Sequence, residues 1–110
     1  MRIRRSILSC IVLFSIMFSA GAKIKGVVTD RKSGNPLIGA NVYLIDTNTA
    51  TPTQMGSATD VDGSYIIDRI PIGNYIIVAF YIGFEEYRQN FKASQDDIQT
   101  IDITLIPSAI

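Results

Sequence analysis

The stretch Thr59-Asp60-Val61-Asp62-Gly63-Ser64-Tyr65 (TDVDGSY) lies near the middle of the 110-residue chain. Its two carboxylates, one residue apart and followed by glycine, match the start of a calcium-binding loop. Such a loop needs more oxygen ligands and a late bidentate glutamate, but residues 64–71 offer only Asp68. An aspartate that caps backbone N–H groups, followed by a glycine that accepts positive φ, favours a hairpin turn. We predict a structural turn, with calcium binding by Asp60 and Asp62 as the minor alternative.

The sequence contains few groups that could perform catalysis. Glycosidase carboxylates face each other across a cleft at about 5 Å or more, whereas Asp60 and Asp62 share one tight turn. The chain has no histidine, and its one cysteine, Cys10, lies in the N-terminal apolar segment. These absences exclude Ser-His-Asp and Cys-His catalysis and leave no ligands for an ordinary zinc site. The sequence therefore predicts no enzymatic activity, no cofactor and no metal centre.

Residues 1–22 have the pattern of a secretory signal peptide. Three arginines precede an apolar run over residues 7–18, and Ala20-Gly21-Ala22 supplies the small residues of a cleavage site after Ala22. Cys10 suggests lipoprotein acylation as an alternative, but it lies inside the apolar run and leaves no apolar core upstream. We expect an exported protein of the periplasm or outer membrane, with a leader over residues 1–22.

Removal of the leader changes the charge balance. The chain has 10 basic and 10 acidic residues, and three of the basic ones precede residue 22. The remaining domain carries a formal charge of about −3, which predicts no nucleic-acid-binding surface. Because no cysteine remains after residue 22, the hydrophobic core alone must stabilise this small domain.

The rest of the chain alternates apolar and polar residues in short segments separated by turn residues. This spacing predicts an all-β fold, a seven-stranded antiparallel sandwich. Residues 74–81 are apolar on both faces, as in a central buried strand, and residues 46–54 are predicted to form a polar loop. The predicted strands cover residues 23–29, 37–45, 56–59, 64–68, 74–81, 85–91 and 98–105.

Five motifs follow one another along these segments: GVVTD at 26–30, SGNPLIGANV at 33–42, ATDVDGSY at 58–65, IPIGNY at 70–75 and YIGF at 81–84. Together they resemble the carboxypeptidase-regulatory-like domain, a transthyretin-like seven-stranded sandwich. The resemblance covers residues 23–107 and leaves 108–110 as the start of a linker or tail. It implies that most motif residues serve turns, with Tyr75 entering the core. The turn residues are Gly34, Pro36, Gly39, Asp60, Asp62, Gly63, Pro71, Gly73 and Gly83.

The aromatic residues are assigned mainly to core and cross-strand packing. Tyr43 and Tyr87 lie on strand faces with polar neighbours, so we expect them to be exposed and available for surface contacts. Exposed aromatic rings stack on sugars, but the chain lacks tryptophan, the most useful stacking residue.

The resemblance implies a role as a non-catalytic accessory domain. Domains of this family often follow the signal peptide of TonB-dependent outer-membrane receptors of the Bacteroidetes type and precede the plug and barrel. The expected partner is then a protein or the rest of such a receptor, and membrane association occurs only through that receptor. Two alternatives stay open: a free-standing carbohydrate-binding module, and an accessory folding domain of a secreted metallocarboxypeptidase.

Overall fold

A computed structural model of the chain describes residues 21–108 and shows eight strands and no helix there. The all-β prediction is therefore confirmed. Most of the predicted leader and the last two residues lie outside the described residues, while Ala22 is the first residue of β1 and is buried. The strands are β1 (Ala22–Asp30), β2 (Asn41–Asp46), β3 (Thr51–Ala58), β4 (Ser64–Ile70), β5 (Gly73–Phe80), β6 (Tyr87–Ala93), β7 (Ile98–Thr100) and β8 (Ile103–Leu105).

The strands form two sheets that pack face to face, as the sandwich prediction required. In the first sheet β1 is central, and it pairs antiparallel with β4 and parallel with β7 and β8. The second sheet has the order β3-β2-β5-β6, and each neighbouring pair is antiparallel. Alternate residues of both sheets fill the space between them. The largest side chains with almost no exposure in this core include Tyr65, Ile24, Leu44, Ile70, Ile77, Ile103 and Leu105.

The last predicted strand differs from the expected continuous antiparallel one. It is split into β7 and β8, which run parallel to β1. At the break, the Ile101 carbonyl approaches Gly26 so closely that a Cβ on Gly26 would lie 1.9 Å from its oxygen. Side chains supply hydrogen bonds where the backbone pairing of β1 with β7 and β8 is interrupted. The Tyr65 hydroxyl donates to the Ile101 oxygen (2.5 Å), and Asp102 Oδ1 accepts the Val27 N–H (3.0 Å). Alternation in sequence does not encode strand direction, so the parallel pairing was not predictable from it.

The predicted loop over residues 46–54 is wrong in its second half, because β3 begins at Thr51. β3 is an edge strand of its sheet, where a proline such as Pro52 is tolerated. The register of β2 and β3 shifts at this point. There the Thr53 hydroxyl donates to the Leu44 carbonyl (2.9 Å) and accepts the Met55 N–H (3.0 Å). These side-chain bonds hold an irregular strand that a polar composition does not reveal.

The contact between Tyr65 and Ile101 predicts a loss of stability at high pH. Burial, then the Asp102 charge and then Tyr87, raise the pKa of the Tyr65 phenol above its ordinary 10.0. A raised pKa contributes stability that is complete below the unfolded value and is lost as the pH rises towards the folded value. We expect the free energy of unfolding to fall by up to about 1.4 kcal/mol per pH unit above about pH 10. Urea denaturation at several pH values measures this slope.

The matched variant is Tyr65→Phe, which keeps the ring and removes the titrating hydroxyl. It should make the slope above pH 10 less steep and leave the part that Tyr75 and Tyr87 contribute, because burial also raises the pKa of these two phenols. At neutral pH it should lower stability by about 1–2 kcal/mol, because the Ile101 carbonyl loses its partner. A slope that Tyr65→Phe leaves unchanged would show that another group causes the pH dependence.

Candidate functional site

Three of the five motifs meet at one end of the sandwich, which we call the loop end (residues 31–40, 59–63 and 81–86). The strand pairing fixes this arrangement: Asn41 at the start of β2 pairs with Ala58 at the end of β3 and with Phe80 at the end of β5. In the other sheet, the Val28 N–H donates to the Gly63 carbonyl (2.8 Å), and Val28 accepts the Leu37 N–H (3.0 Å). The loop end therefore joins both sheets.

The motif at 70–75 lies at the opposite end. There the chain bends between β4 and β5 at Pro71 and Gly73, and the Thr47 N–H donates to the Asn74 carbonyl (3.2 Å). Tyr75 is buried, and its hydroxyl donates to the Pro71 carbonyl (2.8 Å). This bend thus contributes to packing. The length of the strands separates it from the three motifs at the loop end.

Thr59 holds the loop end together. It is the one buried polar residue among residues 21–108. Its hydroxyl donates to the Leu37 carbonyl (2.5 Å) and accepts the Ala40 N–H (2.9 Å). Its backbone N–H donates to the Ala40 carbonyl (2.9 Å), and its carbonyl accepts the Gly39 N–H (3.0 Å). Four hydrogen bonds therefore fix the turn before β2 to the turn before β4.

The turn over residues 60–63 is closed by Asp60. Its Oδ1 accepts the N–H groups of Asp62 and Ser64, both at 2.9 Å. Its backbone N–H also donates to the Ser64 carbonyl (3.0 Å). Two backbone N–H groups therefore already donate to this carboxylate oxygen. Within residues 21–108 no group of three or more aspartate, glutamate, cysteine or histidine side chains is placed to hold a metal ion. The geometry supports a capped turn.

A second turn packs against the first. This second turn follows β1, and the Gly34 N–H closes it by donating to the Asp30 carbonyl (2.7 Å). Pro36 then forms an isolated antiparallel β-bridge with Thr29 of β1. Gly63 lies directly against Pro36, since a Cβ added at Gly63 would come within 2.8 Å of the Pro36 Cβ. The two turns are therefore in contact because Gly63 has no side chain to keep the Pro36 ring away.

Three exposed aliphatic residues stand at the tips of the loop end: Ile38 is 54% exposed, Val61 72% and Ile82 83%. Positive-φ glycines follow them closely, at positions 39, 63 and 83. From the sequence, Val61 and Ile82 were predicted to lie in turns and Ile38 in the strand over residues 37–45, which begins only at Asn41, and none of the three was predicted to be functional. The available signal was the residue type, because turns favour glycine, proline, asparagine, aspartate and serine over isoleucine and valine. Hydrogen-bonded turns thus present apolar side chains to solvent.

Tyr43 and Tyr87 lie on opposite faces of the second sheet. Tyr43 is directly opposite Val78, and Tyr87 is directly opposite the next residue, Ala79. Since successive residues of a strand face opposite sides, the two rings cannot form one platform. Tyr87 packs against the core, and Tyr43 is half-buried on the outer face. The structure does not bring these two predicted surface residues together.

Comparison with known proteins identifies a family. The model of the carboxypeptidase regulatory-like domain matches residues 23–106. No match was found among curated protein sequences. Within the described residues there is no helix long and apolar enough to cross a membrane.

Similar solved structures come from different functional classes. The minor pilin GBS52 of Streptococcus agalactiae is 15% identical, with a TM-score of 0.65 over 84% of this chain and 47% of that one. The major pilin subunit BcpA of Bacillus cereus is 17% identical, with a TM-score of 0.63 over 81% and 31%. Catechol 1,2 dioxygenase of Acinetobacter radioresistens is 14% identical, with a TM-score of 0.60 over 84% and 53%. The chain spans about half or less of these proteins, and the likeness concerns the fold alone.

The Asp60 turn predicts unequal effects of removing its two carboxylates. Asp60→Ala removes an oxygen that accepts two N–H groups, so we expect a loss of about 1–2 kcal/mol in the free energy of unfolding. The matched variant Asp62→Ala should change stability by less than about 0.5 kcal/mol, because the Asp62 side chain makes no such bonds. Thermal unfolding with and without millimolar calcium measures both. Equal losses, or a midpoint raised by calcium only in the wild type, would contradict the capped-turn interpretation.

Proposed function

This chain belongs to the carboxypeptidase regulatory-like domain family, and on that premise we propose that it is a non-catalytic domain that contacts a protein through its loop end. The observation behind the proposal is the set of three apolar tips at this end. An exposed aliphatic side chain gains about 1.5–3 kcal/mol when a partner buries it fully. Because backbone hydrogen bonds close the turns that carry the tips, we expect little conformational entropy to be lost on binding.

The chemistry of the interior supports a non-catalytic role. Every buried side-chain nitrogen and oxygen among residues 21–108 has a hydrogen-bond partner. The one buried polar side chain, Thr59, uses its hydroxyl for two backbone groups. Active sites commonly hold groups with perturbed pKa values in a cleft. Here the large shift, that of Tyr65, comes mainly from burial against Ile101 in the core.

We further propose that the partner is the rest of a TonB-dependent outer-membrane receptor, with this domain as its periplasmic N-terminal extension. The predicted leader and the family support this context. So does the path of the chain: the Ser108 N–H donates to the Gly83 carbonyl (2.9 Å), whereas β1 begins at the opposite end. A plug that followed this domain would therefore start beside Ile82. The metallocarboxypeptidase alternative has no comparable support in the structure.

Site-specific photocrosslinking in the cell envelope of the native host tests the proposal. A photoreactive residue is placed at Val61 or Ile82 of the full chain, and crosslinked peptides are identified by mass spectrometry. We expect crosslinks from both positions to the plug or barrel of an outer-membrane receptor. The matched control is position 66, where Ile66 is 55% exposed on β4, away from the tips.

Two results would overturn the proposal. One is the absence of crosslinked protein at both tip positions when the domain is folded and exported. The other is an identical set of products from positions 61, 82 and 66, which would indicate contact without a defined surface.

A further inference from the structure

The outer face of the sheet β3-β2-β5-β6 is unusually apolar for a surface in contact with water. Val78 is fully buried and Ile45 nearly so, although both lie outside the core between the sheets. Val78 lies in one row with Tyr43 of β2 and Arg88 of β6, which flank it on both sides. An antiparallel sheet normally shows polar side chains on its free face. This face instead has a small hydrophobic cluster of its own.

Arg88 fixes one side of this cluster. Its Nε–H donates to Glu86 Oε2 (2.7 Å). This hydrogen bond and the Glu86 charge are the main causes that raise the pKa of Arg88, and Tyr43 contributes last. On β3 the residue directly opposite Tyr43 is Gly56, which has no side chain.

A groove of about 620 Å³ lies on that side of Tyr43. Gly56 is opposite Tyr43 and forms its floor, and a Cβ at Gly56 would lie only 2.9 Å from the Val42 carbonyl oxygen. Phe80, 43% exposed, lies opposite Asn41 and supplies a second aromatic ring. Tyr43 and Phe80 are diagonal neighbours on one face of the sheet, at a separation of about 7–8 Å. Two aromatic rings thus line the groove, and their proximity was not predicted from the sequence.

Two polar side chains lie at the edge of the groove. Asn41 and Glu86 line it together with the aromatic rings, whereas Ser57, which also lies along it, is opposite the core residue Val42 and has its side chain on the inner face. The Asn41 side chain makes no hydrogen bond to any residue in 21–108, so both its donor and its acceptor are available. The charge of Glu86 is offset by Arg88. The combination is an apolar surface with neutral hydrogen-bonding groups at its edge.

We propose that this groove binds a neutral sugar chain. A pyranose ring has an apolar face of C–H groups and an edge of hydroxyls, which match the aromatic rings and the polar rim respectively. The volume falls within the range of about 300–1,000 Å³ that is usual for small-ligand sites. A stable protein interface needs about 800 Å² from each partner, which this groove does not offer. The groove adjoins the loop end at Glu86, but none of the three apolar tips lines it, so the two proposals can be tested separately.

The test is an NMR titration of the ¹⁵N-labelled full chain, purified after export, with cellotriose, maltotriose and mannotriose. We expect at least one of them to cause saturable shifts centred on the amides of Gly56, Ser57 and Phe80. Phe80→Ala should weaken binding about tenfold or more, since an aromatic contact is lost. Ile66→Ala, which truncates a similarly exposed residue on the other sheet, should leave the affinity unchanged.

A second variant guards against loss of folding in the first. Asn41→Ala removes an exposed side chain that makes no hydrogen bond within residues 21–108, so it should weaken sugar binding while the ¹⁵N spectrum stays dispersed. Three results would overturn the proposal: no saturable shifts with any of the three sugars, shifts that Phe80→Ala does not alter, or a concentration-dependent dimer that occupies the groove. Val61 and Ile82 variants should bind sugar normally, so failure here is distinct from failure at the loop end.

Discussion

The loop end of this domain depends on the hydroxyl of Thr59. As the chain turns into β2, the Leu37 carbonyl and the Ala40 N–H have no strand partner of their own, and Thr59 supplies both. A buried backbone group without a partner costs about 1–3 kcal/mol. For a domain of this size the total stability is typically about 5–15 kcal/mol. One side chain therefore controls a large part of the stability margin, at the end where the two sheets are joined.

Both candidate surfaces follow from this constraint. The tips at Ile38 and Val61 belong to the two turns that Thr59 connects, and Gly63 and Pro36 bring those turns into contact. The same hydrogen bonds fix the start of β2 against the end of β3. That pairing places Gly56 opposite Tyr43 and so opens the groove on the outer face. A loose loop end would thus weaken the presentation of the tips and the shape of the groove together.

The features that depend on residue type and on spacing within one segment could be predicted from the sequence. The apolar strand β5, the buried Tyr75 and the turn at Asp60 were visible, because each follows from residue type and spacing. The features that depend on which strands pair, and in which register, could not be predicted from it. The register decides that Tyr43 shares a sheet face with Phe80 and not with Tyr87, and the alternation within one strand does not reveal which residues of the next strand lie beside it. The parallel direction of β7 and β8 and the start of β3 at Thr51 were hidden for the same reason.

Fold and family do not determine what this domain binds, because the same sandwich occurs in pilins and in a dioxygenase. What can be examined directly is whether the loop end is rigid. Native-state hydrogen exchange at the Ala40 and Gly39 amides, both bonded to Thr59, is the most direct measurement. We predict protection within about tenfold of the Ile77 amide in β5, because opening would require breaking the contact between the sheets. Exchange as fast as that of an unfolded chain would show a flexible loop end and contradict the central role of Thr59.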